Sequence, residues 1–176
     1  VVHIDQLYWL PGWVAAPTEE YRARLEAVLA REQWIIDGTN TSTMDRRIPR
    51  ADTIIWLQRS RFACCWRIGR RVLSSYGRVR PDMAPGCPEK VDWEFMKYVW
   101  NFDEKYTPRI VAALDRDNAW GRTVILRSDR DTANYLLDPQ FHNGGSSGVA
   151  AAILMSGSYR VEGELRAGML AYFGAD

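Results

Sequence analysis

Four short apolar runs punctuate the first three quarters of the chain: Val1-Val2-His3-Ile4-Asp5, Trp34-Ile35-Ile36-Asp37-Gly38, Thr53-Ile54-Ile55-Trp56-Leu57 and Thr123-Val124-Ile125-Leu126. They do not alternate apolar with polar, so each reads as a buried strand. Between them the apolar positions follow the helical period. Tyr21, Leu25, Val28 and Leu29 form one face of a helix that Thr18 caps, with Glu19 and Glu20 in the first turn, where the helix dipole favours them. Asp92 is placed to cap a helix to about Trp100, Pro108 to start another to about Asp115, and Asp129 to cap a short one to Leu137. Gln6 to Pro17 reads as an aromatic loop and Pro81 to Pro88 as a Pro/Gly-rich one. Strands alternating with helices predict an α/β fold whose parallel sheet is covered on both faces. Ligands of such sheets lie beyond the carboxyl ends of the strands, where Asp5 and Asp37 fall.

Composition narrows the picture. The 176 residues carry a formal charge of +1, which argues against a protein that coats nucleic acid with its whole surface. No apolar run reaches the roughly 20 residues a membrane helix needs. Cys64, Cys65 and Cys87 form neither a disulfide framework nor a metal-ligand spacing, which points to a reducing cytoplasm. Starting on a strand suggests that something is missing upstream. His3 reads as a strand residue with a satisfied ring rather than as a ligand.

Charge is concentrated in one place. Arg59 to Arg80 holds Arg59, Arg61, Arg67, Arg70, Arg71, Arg78 and Arg80 and no Asp, Glu or Lys. Arg67, Arg70 and Arg71 stand at i, i+3 and i+4 and share a helix face. Phe62, Cys65, Trp66, Gly69 and Leu73 make the opposite stripe, suited to burial. Such a row of guanidinium groups suits a polyanion such as a triphosphate, and a solvated basic face is the plainer alternative. Asp45-Arg46-Arg47 with Arg50 is read either as a second cluster near an acceptor or as a surface ion-pair patch. From Asp138 the character changes: Asn143 to Gly148 is linker-like, Val149 to Met155 is a candidate strand, and Glu162 to Phe173 a weak helix.

With these residues in view, the chain resembles the P-loop kinases of the adenylate-kinase-like group, within it the DNA topology modulation proteins or AAA-family ATPases. The resemblance covers about Val1 to Leu137 and rests on HIDQLYWLPGW, WIIDGTN, ADTIIWL and above all RRVLSSYGRVRPDMAPGCPEKVDWEF. It implies a three-layer parallel sheet of the P-loop type over residues 1–137, with an arginine-rich lid over about 59–95, and ATP-dependent phosphoryl transfer to a nucleotide or other small molecule. By the same resemblance Asp37 helps hold Mg²⁺ through water, and Asp5 is a base or magnesium partner near the acceptor. Arg67, Arg70, Arg71 and Arg78 belong to a mobile lid, and Arg127 to Arg130 border the adenine. The chain departs from the pattern by lacking the G-x-x-x-x-G-K-[ST] loop and the central strand before it, the sheet's usual first strand. Residues 138–176 are read either as an unrelated tail or as a permuted, degenerate strand-loop-helix. In the latter, counted from Gly157, Glu162, Gly163 and Glu164 take the places of the second Gly, the Lys and the Ser/Thr. The alternative function is a non-catalytic module whose arginine helix binds nucleic acid.

Overall fold

The computed structural model describes residues 1–137 and 151–156, and the fold is mixed α/β. Five strands form one parallel sheet: β1 (Val2–His3), β4 (Trp34–Asp37), β5 (Thr53–Leu57), β6 (Thr123–Leu126) and β7 (Ala151–Ser156). A separate two-stranded antiparallel ribbon pairs β2 (Trp9–Leu10) with β3 (Val14–Ala15). The order in the large sheet is β1-β4-β7-β5-β6. The last strand in sequence is thus the middle strand in space. It pairs with β4 through Ile36↔Ile153 and Asp37↔Leu154, and with β5 through Ile54↔Ile153 and Leu57↔Ser156. The middle of the sheet is thus taken by a segment of the tail, where a strand is expected over Val149 to Met155. Gly157, Glu162, Gly163, Glu164, the 143–148 stretch and the candidate helix to Phe173 lie outside the described residues.

Register explains the core. Ile36, Ile153 and Ile54 lie in one row across three strands, followed by Met155 beside Trp56, and all are buried in the main cluster. That cluster also takes Tyr21, Leu25, Val28 and Leu29 from α2 (Thr18–Leu29), the face the sequence predicts, and Ile110 and Leu114 from α7 (Thr107–Arg116). Ile55 and Leu57 alternate with Ile54 and Trp56 along β5 and are buried as well, so that strand is covered on both faces.

Three local readings change. The first strand stops at His3, because its partner, β4, ends opposite it at Asp37. The chain then turns into α1 (Ile4–Tyr8), so Asp5 sits in a helical first turn and not at a strand end. Pro17 rather than Thr18 occupies the cap of α2 and gives no side-chain hydrogen bond. Ser128, not Asp129, caps α8 (Asp129–Leu137): its Oγ accepts from Asp131 N at 3.0 Å, and Asp131 Oδ2 accepts from Ser128 N at 2.8 Å, a reciprocal capping box. Asp92 caps α5 (Trp93–Trp100) as expected, accepting from Phe95 N at 3.0 Å.

Among the described residues no helix is long and apolar enough to cross a membrane.

If β7 is integral, Ile153→Ala lowers stability by about 2–5 kcal/mol, the usual result of emptying a fully buried aliphatic site. Chemical denaturation measures this. A chain ended at Leu137 then loses cooperative unfolding, whereas a wild-type transition in that shortened chain contradicts the arrangement.

Candidate ligand edge of the sheet

The carboxyl ends of β1 and β4 lie side by side, with His3 opposite Asp37. His3 Nδ1 donates to Asp37 Oδ2 at 3.0 Å, which fixes the proton on that nitrogen, since a carboxylate only accepts. Gly38 follows Asp37 with φ +127°, and a Cβ there would stand 2.9 Å from Ile4 Cβ. Only glycine lets the turn after Asp37 pass this close to the helix that carries Asp5. Asp5 is exposed to solvent, yet enough protein surrounds it to disfavour its charged form. Crowding first, then the charges of Asp37 and Asp82, push its pKa above the ordinary value of 3.8, while Arg80 and His3 pull the other way. Asp5 and Asp37 are therefore brought together, as the sequence suggests. His3 joins them through its hydrogen bond to Asp37.

The second wall of this edge comes from residues 80–89. Their backbone docks on the aromatic ribbon: Gly12 N donates to Gly86 O at 2.9 Å, Trp13 Nε1 to Pro88 O at 3.0 Å, and Gln6 Nε2 to Pro81 O at 2.7 Å. Met83, Ala84 and Cys87 pack against Trp9 and Trp13. Trp13 is held at φ +64°, a conformation unusual for a bulky residue, by this docking. The two signature runs, LYWLPGW and PDMAPGCPEK, are thus two halves of one structural unit.

Within that unit lies a buried ion network. Glu89 faces Arg71 Nη2 at 3.2 Å through Oε1 and Arg80 Nε at 2.8 Å through Oε2. The second contact is ionic only, because its alignment is not that of a hydrogen bond. Arg80 Nη1 also donates to Asp82 Oδ2 at 2.9 Å. Burial and the neighbouring Arg80 charge lower the pKa of Arg71, and Glu89 partly offsets this. Such networks cost desolvation, so their effect is to fix geometry more than to stabilise.

The remaining predicted residues divide. Arg67, on α4 (Arg61–Ser75), donates to Asp129 Oδ2 at 2.6 Å, and Arg59 reaches the same carboxylate at 3.2 Å. Arg70 and Arg78 are exposed, as are Arg127, in the β6–α8 turn, and Arg130, in the first turn of α8. Arg59, Arg67, Arg71 and Arg80 are thus held by carboxylates of the chain itself, and the arginine run is a weaker anion trap than its sequence suggests. The apolar stripe is corrected too. α4 buries Cys64 and Ile68 against Val99 of α5, while Phe62, Trp66 and Leu73 are 69%, 74% and 87% exposed. Of the expected stripe, Cys65 packs against the α4–α5 cluster, while the larger Phe62, Trp66 and Leu73 face outward. Arg46 and Arg50 both pair with Glu26 at 2.7 Å, which makes that cluster a surface ion-pair patch, and Arg47 turns inward.

Among the described residues no group of three or more His, Cys, Asp or Glu side chains is arranged to hold a metal ion. Asp37, the expected magnesium residue, is hydrogen-bonded to His3 through one of its two carboxylate oxygens.

Two outcomes follow from these charges. Glu89→Gln leaves Arg71 and Arg80 buried without their shared anion and lowers stability by about 3–5 kcal/mol in denaturant titration. The raised pKa of Asp5 means the folded state holds its proton more tightly than the unfolded state. The associated stability is full below the ordinary value of 3.8 and is lost as pH rises through the raised one. Asp5→Asn therefore raises the melting temperature at pH 7 relative to wild type, and the gain vanishes at the acidic end. A destabilised Asp5→Asn at pH 7 contradicts the electrostatic description.

No protein-family model matches the chain, and comparisons with curated proteins and with solved structures give no match either.

Proposed function

We propose that the edge formed by β1, β4 and residues 80–89 binds the acceptor of an ATP-dependent phosphoryl transfer, in a phosphotransferase of the P-loop kinase type. The observation that carries this reading is the convergence of Asp37, at the end of β4, and Asp5, in the first turn of α1, close enough for the Asp37 charge to help raise the pKa of Asp5. The position of β7 supports it. The resemblance requires a central strand ahead of the phosphate-binding loop, and β7 takes the central place and delivers the chain to the same sheet edge at Ser156. This favours a permuted strand-loop-helix over an unrelated tail.

In the transfer an acceptor hydroxyl attacks the terminal phosphorus. The new O–P bond forms as the bond to the bridging oxygen breaks, ADP departs, and the acceptor's proton passes to Asp5. Catalysis of this kind depends on positioning and charge neutralisation more than on covalent chemistry. Arg80 lies near enough to Asp5 to oppose the rise in its pKa, so the edge is not purely anionic. Exposed Arg70, Arg78, Arg127 and Arg130 are the cations left to meet the nucleotide. Magnesium, which Asp37 would help hold, would supply further neutralisation of the phosphate charge. The nucleic-acid reading is weakened by the internal pairing of Arg59, Arg67, Arg71 and Arg80, which leaves fewer charges to displace counterions.

Calorimetry with millimolar ATP and magnesium, followed by ADP release with water as the default acceptor, tests the reading. ATP binds, and Asp5→Asn leaves its affinity unchanged while slowing ADP release by roughly 10²–10⁴, the usual effect of losing a general base. Absence of binding heat sinks the proposal. Salt-steep binding of labelled DNA that ignores ATP would transfer function to the nucleic-acid module.

A further inference from the structure

Arg47, the last residue of α3 (Met44–Arg47), is fully buried, with relative exposure of 0%. A guanidinium in such a place ordinarily has a carboxylate partner. Here its hydrogen bonds run to three successive backbone carbonyls: Nη1 to Gly38 O at 3.0 Å, Nη2 to Thr39 O at 2.6 Å and Nη2 to Asn40 O at 2.7 Å. Its Nε has no hydrogen-bond partner. Burial lowers its pKa to about 10, with Tyr21 and Asp45 opposing only as neighbouring charges. Met44 and Ile48 on either side are buried and apolar, so an aliphatic residue would satisfy the packing without the desolvation cost.

What the charge secures is the turn. Gly38 to Asn40 directly follow Asp37, and the same turn presses on Ile4, next to Asp5. We infer that Arg47 is the positioning residue of the candidate site: by gathering the Gly38, Thr39 and Asn40 carbonyls it sets where Asp37 meets His3 and how closely the turn approaches the Asp5 helix. A planar guanidinium suits this role because its N–H donors are held in a fixed fork. Arg47 touches no reacting atom and acts through Asp37 and the Gly38 turn.

The inference rests on Asp5 and Asp37 forming the site, but its test does not require catalysis. His3 and His142 are the only histidines. The downfield NMR signal of the His3 Nδ1 proton, assigned by its loss in His3→Gln, reports the hydrogen bond to Asp37. Arg47→Gln loses or shifts this signal while keeping the fold by circular dichroism. Arg47→Lys, which retains the charge and three donors, partly restores it. Arg122→Gln removes a guanidinium that donates to Ile48 O at 3.0 Å, away from the turn, and leaves the signal in place. An unchanged signal in folded Arg47→Gln overturns the inference. So does failure of both Arg47 variants to fold, which would make Arg47 a core residue and nothing more specific. An intact His3 signal pattern with no ATP binding would instead count against the phosphotransferase reading alone.

Discussion

An interior strand of a parallel sheet must find hydrogen-bond partners on both sides, because its unpaired amides and carbonyls would otherwise be buried at a cost. The organisation depends on this constraint. β4 and β5 are not neighbours; β7 stands between them and joins the β1–β4 pair to the β5–β6 pair. Ile153 completes the row that begins at Ile36 and ends at Ile54, and Met155 stands beside Trp56. The same pairing aligns the strand ends, so Asp37, Leu57 and Ser156 finish at one edge. The site is a consequence of sheet register before it is a matter of individual side chains.

Charge placement then decides what that edge can do. The arginine-rich run is divided between two internal duties. Arg59 and Arg67 tie α4 to the start of α8 through Asp129, and Arg71 and Arg80 lock residues 80–89 through Glu89 and Asp82. An element anchored by such ion pairs differs from the freely moving lid that the kinase resemblance implies. Each anchor would need its anion replaced, for instance by a phosphate, for the element to move at little cost.

Much of this was legible in the residues and some was not. Strands Trp34–Asp37, Thr53–Leu57 and Thr123–Leu126 and the buried face of α2 follow from local patterns, and they appear where periodicity puts them. The Asp92 cap was readable because a cap is a contact over three residues. By contrast, the shortening of the first strand depends on where a partner ends 34 residues away, and the His3–Asp37 pair spans the same distance. The Glu89 network and the Arg47 turn also depend on contacts that no local pattern encodes. The exposure of Phe62 and Trp66 shows the limit of amphipathic reasoning on a helix rich in both arginine and aromatics. Size made those residues look like core, whereas the smaller Cys64 and Ile68 are what fit against α5.

The central claim is that one edge of the sheet, between the His3–Asp37 pair and residues 80–89, is where ligand binds. Hydrogen exchange of the whole chain with and without millimolar ATP and magnesium tests it most directly. Protection confined to peptides covering residues 3–8, 37–43 and 78–90 is the predicted result. Protection on the outer face of α4 around Trp66, or none anywhere, would contradict it.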